Sequence, residues 1–380
     1  MARSENGGVA RVSRREALML GAGAGVGLLS MLHADVAGAQ PAATVAGPIR
    51  RPAADDPPLN PSFPQSPTWA TELRQLAPNF FAYIQGNGPP ADGSGISNAC
   101  VMDGGGDLLV FDTLNGPGAA RPFIAAIRNT IGNQPFGRVV YTHNHGDHVN
   151  GGQYFEPAEI VAHPFCRERV LQMAAAMTRE GPPDPAYGRI APTWEGNERK
   201  DLRVPTVTVT DKMTYYYGGT VVELIHPGVA HTWGDLLVYL PEHRILFVGD
   251  VAMFHVAPFA HNGHVTPWLE VIERILDMDV ETIVPGHGPI GGKTQLAENA
   301  EYFRLLKGEA RKRFDGGMSV GEAAADIDMG KFTNWMGAGR VVLNTFRLYA
   351  EFNGTLTPIT DNEALRVATD EYNAIVRARA

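Results

Sequence analysis

Short apolar runs, closed off by Gly, Pro and Asp, recur along the middle of this chain and alternate with stretches of helical spacing. Residues 80–84 read as a strand and residues 86–95 as a Gly/Pro loop. The runs at 99–102 and 108–112 flank Asp103-Gly104-Gly105 and predict a hairpin pair. Phe123, Ile124 and Ile127 are spaced as on one helix face, so residues 122–130 predict a helix. A strand ending in Arg138-Val139-Val140-Tyr141 follows. Residues 206–209, 213–217, 221–226, 236–240 and 245–248 then read as a series of short strands. The stretch 268–278 is amphipathic, with Trp268, Ile272, Ile275 and Leu276 on one side, the stripe of a helix packed on a core. Residues 282–284 form another strand, and beyond Lys293 the chain turns helical. There Ser319-Val320-Gly321-Glu322 has the form of a capping box, and residues 340–352 make a further helix. The repeated strand-then-helix order predicts an α/β architecture.

At 380 residues the chain has room for one large core with appendages or for two domains. A net charge of -9 argues against a broad basic face for nucleic acid, and Arg311-Lys312-Arg313 reads as a solvated helix face. Cys100 and Cys166 stand alone and outside any Cys-x-x-Cys, so both read as small buried residues and their pairing stays open. The N-terminus has the form of a targeting segment. Ser13-Arg14-Arg15-Glu16-Ala17-Leu18 resembles a twin-arginine export signal, a weakly apolar stretch follows, and Ala37-Gly38-Ala39 offers a cleavage site. The apolar run falls short of the roughly 20 residues that span a bilayer, so no stable membrane anchor is expected. These readings divide the chain into a signal peptide (1–39), a Pro/Ala-rich linker or arm (40–68), a catalytic domain (69–292) and a C-terminal helical extension (293–380). The expected location is periplasmic or secreted.

Chemistry concentrates in Thr142-His143-Asn144-His145-Gly146-Asp147-His148, where four candidate metal ligands fall between residues 143 and 148. Neutral imidazoles with a carboxylate suit a borderline-soft ion such as zinc. One helix face cannot present them all, so a loop leaving a strand is expected. Further candidates stand where predicted strands run out: His231 in Gly228-Val229-Ala230-His231-Thr232-Trp233-Gly234-Asp235, Asp250 closing Phe247-Val248-Gly249-Asp250, and His287 in Pro285-Gly286-His287-Gly288. Strand ends are where α/β folds collect their sites. No Gly-x-Ser-x-Gly elbow is present, which removes one route to a serine nucleophile.

In this order and spacing, these residues resemble the metallo-β-lactamase fold superfamily over about residues 80–289. The resemblance implies an αβ/βα four-layer sandwich of two mixed sheets with helices outside and metals at one edge. It implies that His143, His145 and His231 hold a first ion, that Asp147, His148 and His287 hold a second, and that Asp250 bridges them. Asp112 matches an aspartate that supports the ligands from behind. Two divalent ions, zinc first with manganese or iron as alternatives, would share a hydroxide for attack on an ester, lactone, thioester, amide or related electrophilic carbon of a small-molecule substrate. Asp147 would orient that nucleophile.

Aspartate at 250 points away from zinc β-lactamases proper and toward exported glyoxalase-II-like and lactonase-like metallo-hydrolases. The alternatives on the same fold are a mononuclear-iron oxidoreductase resembling persulfide dioxygenases and a hydrolytic dehalogenase. Substrate contacts are less legible. The loop after Asp250 offers His255, His261 and His264, and Trp233 neighbours His231. Residues 173–194 stand where relatives place a substrate-covering insertion. The C-terminal helices, with Trp335 and Arg340, are candidates for covering the site or forming a homodimer contact.

Overall fold

In a computed structural model, residues 58–379 are described, except 87–95, 158, 181–183, 185–186, 188–189 and 195–197. The export signal and most of the linker therefore lie outside the described residues. The chain alternates apolar side chains between the two faces of the central strands, and both faces of those strands are covered. Phe81 and Tyr83 join one hydrophobic cluster while Phe80, Ala82 and Ile84 join another. Leu108 and Val110 likewise part from Leu109 and Phe111. A strand buried on both faces must lie in an inner layer.

Two such sheets form. The first has the order β1 (Glu72–Ala77), β2 (Phe80–Ile84), β3 (Ala99–Asp103), β4 (Leu108–Phe111), β5 (Phe136–Val140), β6 (Glu159–Ala162) and β7 (Val207–Thr208). It is antiparallel as far as β4 and parallel from β4 to β7. The second contains β8 (Lys212–Tyr217), β9 (Thr220–Ile225), β10 (Leu237–Leu240), β11 (Ile245–Phe247) and β12 (Thr282–Val284) in reverse order across the sheet, with only β11 and β12 parallel. Phe80, Met102, Leu109, Phe111 and Val140 of the first sheet share one core with Val222, Leu224, Val238 and Phe247 of the second.

Helices close the outer faces. Against the first sheet lie α1 (Gly116–Thr130) and, after the short α2 (Gly146–Val149), α3 (Pro164–Thr178), through Phe123, Ile127, Cys166 and Val170. Against the second lie α4 (Val265–Asp277) and α5 (Lys293–Asp315), with α6 (Val320–Asp326), α7 (Val341–Phe352) and α8 (Asn362–Arg379) beyond. The fold is the αβ/βα sandwich expected. Trp268, Val271, Ile272 and Ile275 of α4 share one cluster with Leu296 and Phe303 of α5, Leu348 of α7 and Tyr372 of α8, so the C-terminal helices α5 to α8 pack onto the same core. Each such large apolar side chain contributes about 1.5–3 kcal/mol when fully buried. Ser319 and Glu322 make the reciprocal capping box that opens α6. Cys100 faces the core between the sheets and Cys166 the core under the helices, and both are free. Among the described residues, no helix is long and apolar enough to cross a membrane.

Several boundaries differ from the sequence reading. Helix α1 begins six residues earlier than Pro122, at Gly116, with Pro117 in its first turn. Pro122 is tolerated inside because the carbonyl it leaves unbonded belongs to exposed Gly118. Strand β1 and helix α3 were not anticipated.

Candidate metal centre

Seven side chains from four connections converge at one edge of the sandwich. His143 and His145 leave the end of β5, Asp147 and His148 sit on α2, His231 precedes β10, Asp250 follows β11, and His287 follows β12. All seven candidate ligands named from the sequence are brought together. Ligand-type atoms of His143, His145, His231 and Asp250 lie within 4.8 Å of one another, as do those of Asp147, His148 and His287. Asp250 reaches both groups. Its Oδ2 is 3.3 Å from His231 Nε2 and 3.3 Å from His287 Nε2, and its Oδ1 is 3.2 Å from His148 Nε2. Ligands held at zinc-type bond lengths around a tetrahedral ion stand roughly 3.3–3.5 Å apart, so this spacing fits ions better than it fits hydrogen-bonded pairs.

Local sequence builds these positions. Gly286 lies so close to Asp250 that a Cβ there would be 1.9 Å from Oδ1, so the Pro-Gly-His-Gly turn closes only on glycine. Gly249 takes a φ of +51° with Thr142 against it, which turns Asp250 inward. Asn98 donates from Nδ2 to the carbonyls of Pro285 and Gly288, and its N–H donates to Gly286 O, tying the His287 turn to β3. Asp235 accepts from the Thr232 N–H and hydroxyl and fixes the loop carrying His231. Burial raises the Asp235 carboxyl to about 7 against those hydrogen bonds.

Asp112 sets the orientation of two imidazoles. It is fully buried, and its Oδ2 lies 2.8 Å from His148 Nδ1 and 2.7 Å from the Thr142 hydroxyl. That hydroxyl donates to Asp112, so the 3.1 Å contact with His143 Nδ1 is one in which the ring donates. Both rings are thereby held with Nδ1 protonated and the Nε2 lone pair turned to the centre. His143 Nε2, His148 Nε2 and Asp250 Oδ1 are buried and find no hydrogen-bond partner. Buried polar atoms without partners are expensive, and cations would satisfy them all at once. The donor set fits divalent metal.

Charge within the cluster is divided unevenly. Burial, with nearby His148, holds His143 well below the ordinary imidazole range, and burial does the same to His231. Burial also lowers His145 against the pull of Asn262. For His148 burial is outweighed by Asp250, Asp147 and Asp112, which hold its pKa well above normal. His287 is likewise pushed up to about 9 by Asp250 and Asp147 against its burial. Burial opposes ionisation of Asp250, yet His287, His148 and His231 hold it well below the carboxylate range. Asp147 is held low by His148 and His287 in the same way. In the metal-free protein, protons on His148 and His287 take the place of cations.

Beside His145 opens a cleft of about 210 Å³, lined by Arg169, Met173, Tyr187, Phe259, His261 and Asn262 among others. His261 thus lines it, stacked on Phe259 at 5.6 Å, whereas Trp233, His255 and His264 do not. Trp233 stacks on His264, whose Nε2 is 4.0 Å from Glu351, and His255 packs edge-on against Trp335. Asn262 escaped the sequence reading. Its Oδ1 is 2.9 Å from His145 Nε2, and its Nδ2 donates to Pro358 O, so the C-terminal segment steadies a histidine of the centre. Arg347 of α7 reinforces the link by donating to Gly263 O and Thr357 O.

Asp112→Asn should weaken metal binding by about 10–100-fold, because Oδ1 accepts from the Thr142 N–H while Oδ2 accepts from His148 and the Thr142 hydroxyl, and an amide turns one of these two acceptors into a donor and removes the negative charge behind the imidazole. Competition with a chromophoric chelator reads this directly. Wild-type affinity in a folded variant would remove Asp112 from the centre.

The metallo-beta-lactamase superfamily model matches residues 92–287, just over half of the chain. The 2,4-dinitroanisole O-demethylase subunit alpha of Nocardioides sp. (strain JS1661) is 28% identical over 201 residues, covering 51% of this chain and 53% of that protein. A metallo-beta-lactamase type 2 of Bacillus sp. (strain 170) is 28% identical over 171 residues, covering 44% and 57%. The stereoselective inverting sec-alkylsulfatase of Pseudomonas sp. superimposes with a TM-score of 0.57 at 18% identity, over 75% of this chain and 51% of that one. The chain spans about half the length of the curated relatives it matches, and the last likeness concerns the fold alone.

Proposed function

The chain belongs to the metallo-β-lactamase superfamily, and from that premise we propose a metal-dependent hydrolase that works with two divalent ions, zinc in the first instance. The observation that carries this is Asp250, whose carboxylate lies between two ligand groups with unpartnered nitrogens turned toward it. His143, His145 and His231 would hold one ion and Asp147, His148 and His287 the other, with Asp250 shared. When bound, such a pair acidifies water to a pKa of about 7 and offers positive charge to a developing oxyanion.

The chain's own residues supply the rest. Asp147 is 18% exposed against 4% for Asp250, so it is the carboxylate placed to accept a proton from an incoming water and orient it. Phe259 and Met173 wall the cleft and exclude bulk solvent from the substrate side. His261 is a titratable side chain that lines the cleft beside His145, and it is the candidate proton donor to a leaving group. Proteins named for O-demethylation and for β-lactams are similar in sequence to this chain, and one named for sec-alkyl sulfates is similar in fold, which supports a centre that does not itself select the bond broken. Asp250 favours the glyoxalase-II-like and lactonase-like branch, and Arg14-Arg15 would place the reaction outside the cytoplasm.

The test is a panel of esters, lactones, thioesters, β-lactams and alkyl sulfates, run with metal analysis. About two zinc-type ions per chain and turnover of at least one class are expected. Zinc-saturated protein inert to the whole panel would sink the hydrolase reading, and a single iron with oxygen consumption would replace it with oxidoreduction.

A further inference from the structure

The cleft beside His145 holds a cation that the proposed hydrolysis does not use. Arg169, in the second turn of α3, is only 5% exposed. Its Nη1 donates to Gln172 Oε1 at 2.5 Å, and its guanidinium lies 4.8 Å from the centroid of the Tyr187 ring. Neither contact brings negative charge, and no carboxylate among the described residues pairs with it. Arginine is almost never this buried without an acidic partner, because removing one charge from water without another nearby is strongly unfavourable. Structural arginines elsewhere in this chain behave differently. Arg347, buried as deeply, spends its donors on the carbonyls of Gly263 and Thr357 and the hydroxyl of Thr360. Arg169 has N–H donors to spare, in the planar fork that matches a carboxylate or sulfo-oxyanion.

Its surroundings say what else the ligand carries. Arg169 shares the cleft with apolar Met173, Phe259 and Ile359, and His145 of the metal centre lines the same cavity. We propose that Arg169 is the anion-binding residue of the substrate cleft, so that the substrate is an amphiphilic anion with an apolar stem. This deepens the hydrolase reading and rests on it for the identity of the site, though not for the binding itself. The anion is either a carboxylate remote from the cleaved bond or the sulfo group of the ester being cleaved. Both present the same geometry to a guanidinium.

The binding test uses hexane-1-sulfonate and hexan-1-ol titrated calorimetrically into metal-loaded wild type, Arg169→Met and Arg169→Lys, each matched for metal content and melting temperature. The sulfonate should bind wild type at least about 10-fold more tightly than the alcohol. That preference should vanish in Arg169→Met and partly survive in Arg169→Lys. Equal binding of sulfonate and alcohol by wild type overturns the proposal, as does an undiminished preference in Arg169→Met. If Arg169→Met does not fold, the wild-type comparison and the lysine variant decide. The kinetic arm compares 4-nitrophenyl hemiglutarate, 4-nitrophenyl butyrate and hexyl sulfate. A remote-anion site lowers KM for the hemiglutarate over the butyrate, and a sulfo-ester site turns over hexyl sulfate. Arg169→Met should erase either effect. Sulfonate bound as expected with no ester cleaved would refute hydrolysis and leave the anion site standing. Butyrate cleaved with no anion preference would do the reverse.

Discussion

Asp250→Ala is expected to lose both bound ions and at least about three orders of magnitude in kcat, equivalent to about 4 kcal/mol of barrier. The reason is geometric. Among the described residues, Asp250 is the one carboxylate within 3.8 Å of histidines from both ligand groups, at His143 and His231 on one side and His148 and His287 on the other. Asp147, by contrast, contacts only His148 and His287. Asp147→Ala should therefore keep about one ion per chain while Asp250→Ala keeps close to none, a distinction that elemental analysis of dialysed protein resolves. Two ions retained by a folded Asp250→Ala protein would show that the carboxylate is not shared. A second effect accompanies the first. Without Asp250, His148 and His287 lose the anion that outweighs their burial, so the metal-free variant should also melt earlier than the metal-free parent.

The ligands were legible in the sequence because strand ends announce themselves. Apolar runs such as Phe247-Val248 stop abruptly at Gly249-Asp250, and each ligand follows such a stop. Alternation across β2, β3 and β4 made the inner layers legible too. Strand β1 was missed because it is an edge strand with several exposed positions, and Glu-Leu-Arg-Gln-Leu-Ala carries no β-type run. Helix α3 was missed because its apolar residues do not gather on one face, and its start rests on His163 accepting from the Phe165 N–H. Asn98, Asn262 and Arg169 illustrate a harder class. Asn262 meets a histidine 117 positions away and Asn98 a turn 187 positions away, and no local pattern encodes such a contact. Arg169, inside Arg167-Glu168-Arg169, reads as a solvated helix face until its burial is seen.

Chelation should lower the melting temperature by about 10 °C or more, and the gap between loaded and metal-free protein should widen as pH rises from about 6.5 to 9. The size follows from linkage: an ion at a thousand times its Kd stabilises by about 4 kcal/mol, and two such sites contribute about twice that. In a domain of this size each kcal/mol moves the midpoint by roughly 2 °C. The direction follows from the metal-free charges. His287 is raised to about 9, and His148 is also raised. Their folded-state protonation therefore stabilises fully below the unfolded value of about 6.5 and is lost as pH climbs through the folded pKa. Asp147 and Asp250 are depressed, so their contribution is present above about pH 4 and disappears only on acidification below it. His143, His145 and His231 are held below the ordinary imidazole range, so their cost to the metal-free fold grows as pH falls below about 6.5. The metal-free centre is thus most favourable near about pH 6.5 and weakens toward pH 9. Metal binding runs the other way, because each imidazole must give up its proton before it can donate a lone pair. Raising the pH removes the protons that substitute for cations and strengthens the hold on the cations themselves. Calorimetric melts of both forms at pH 6, 7, 8 and 9 read the difference without any substrate. A gap that narrows over that range would mean that His148 and His287 are not ligands, whatever reaction the protein is found to catalyse.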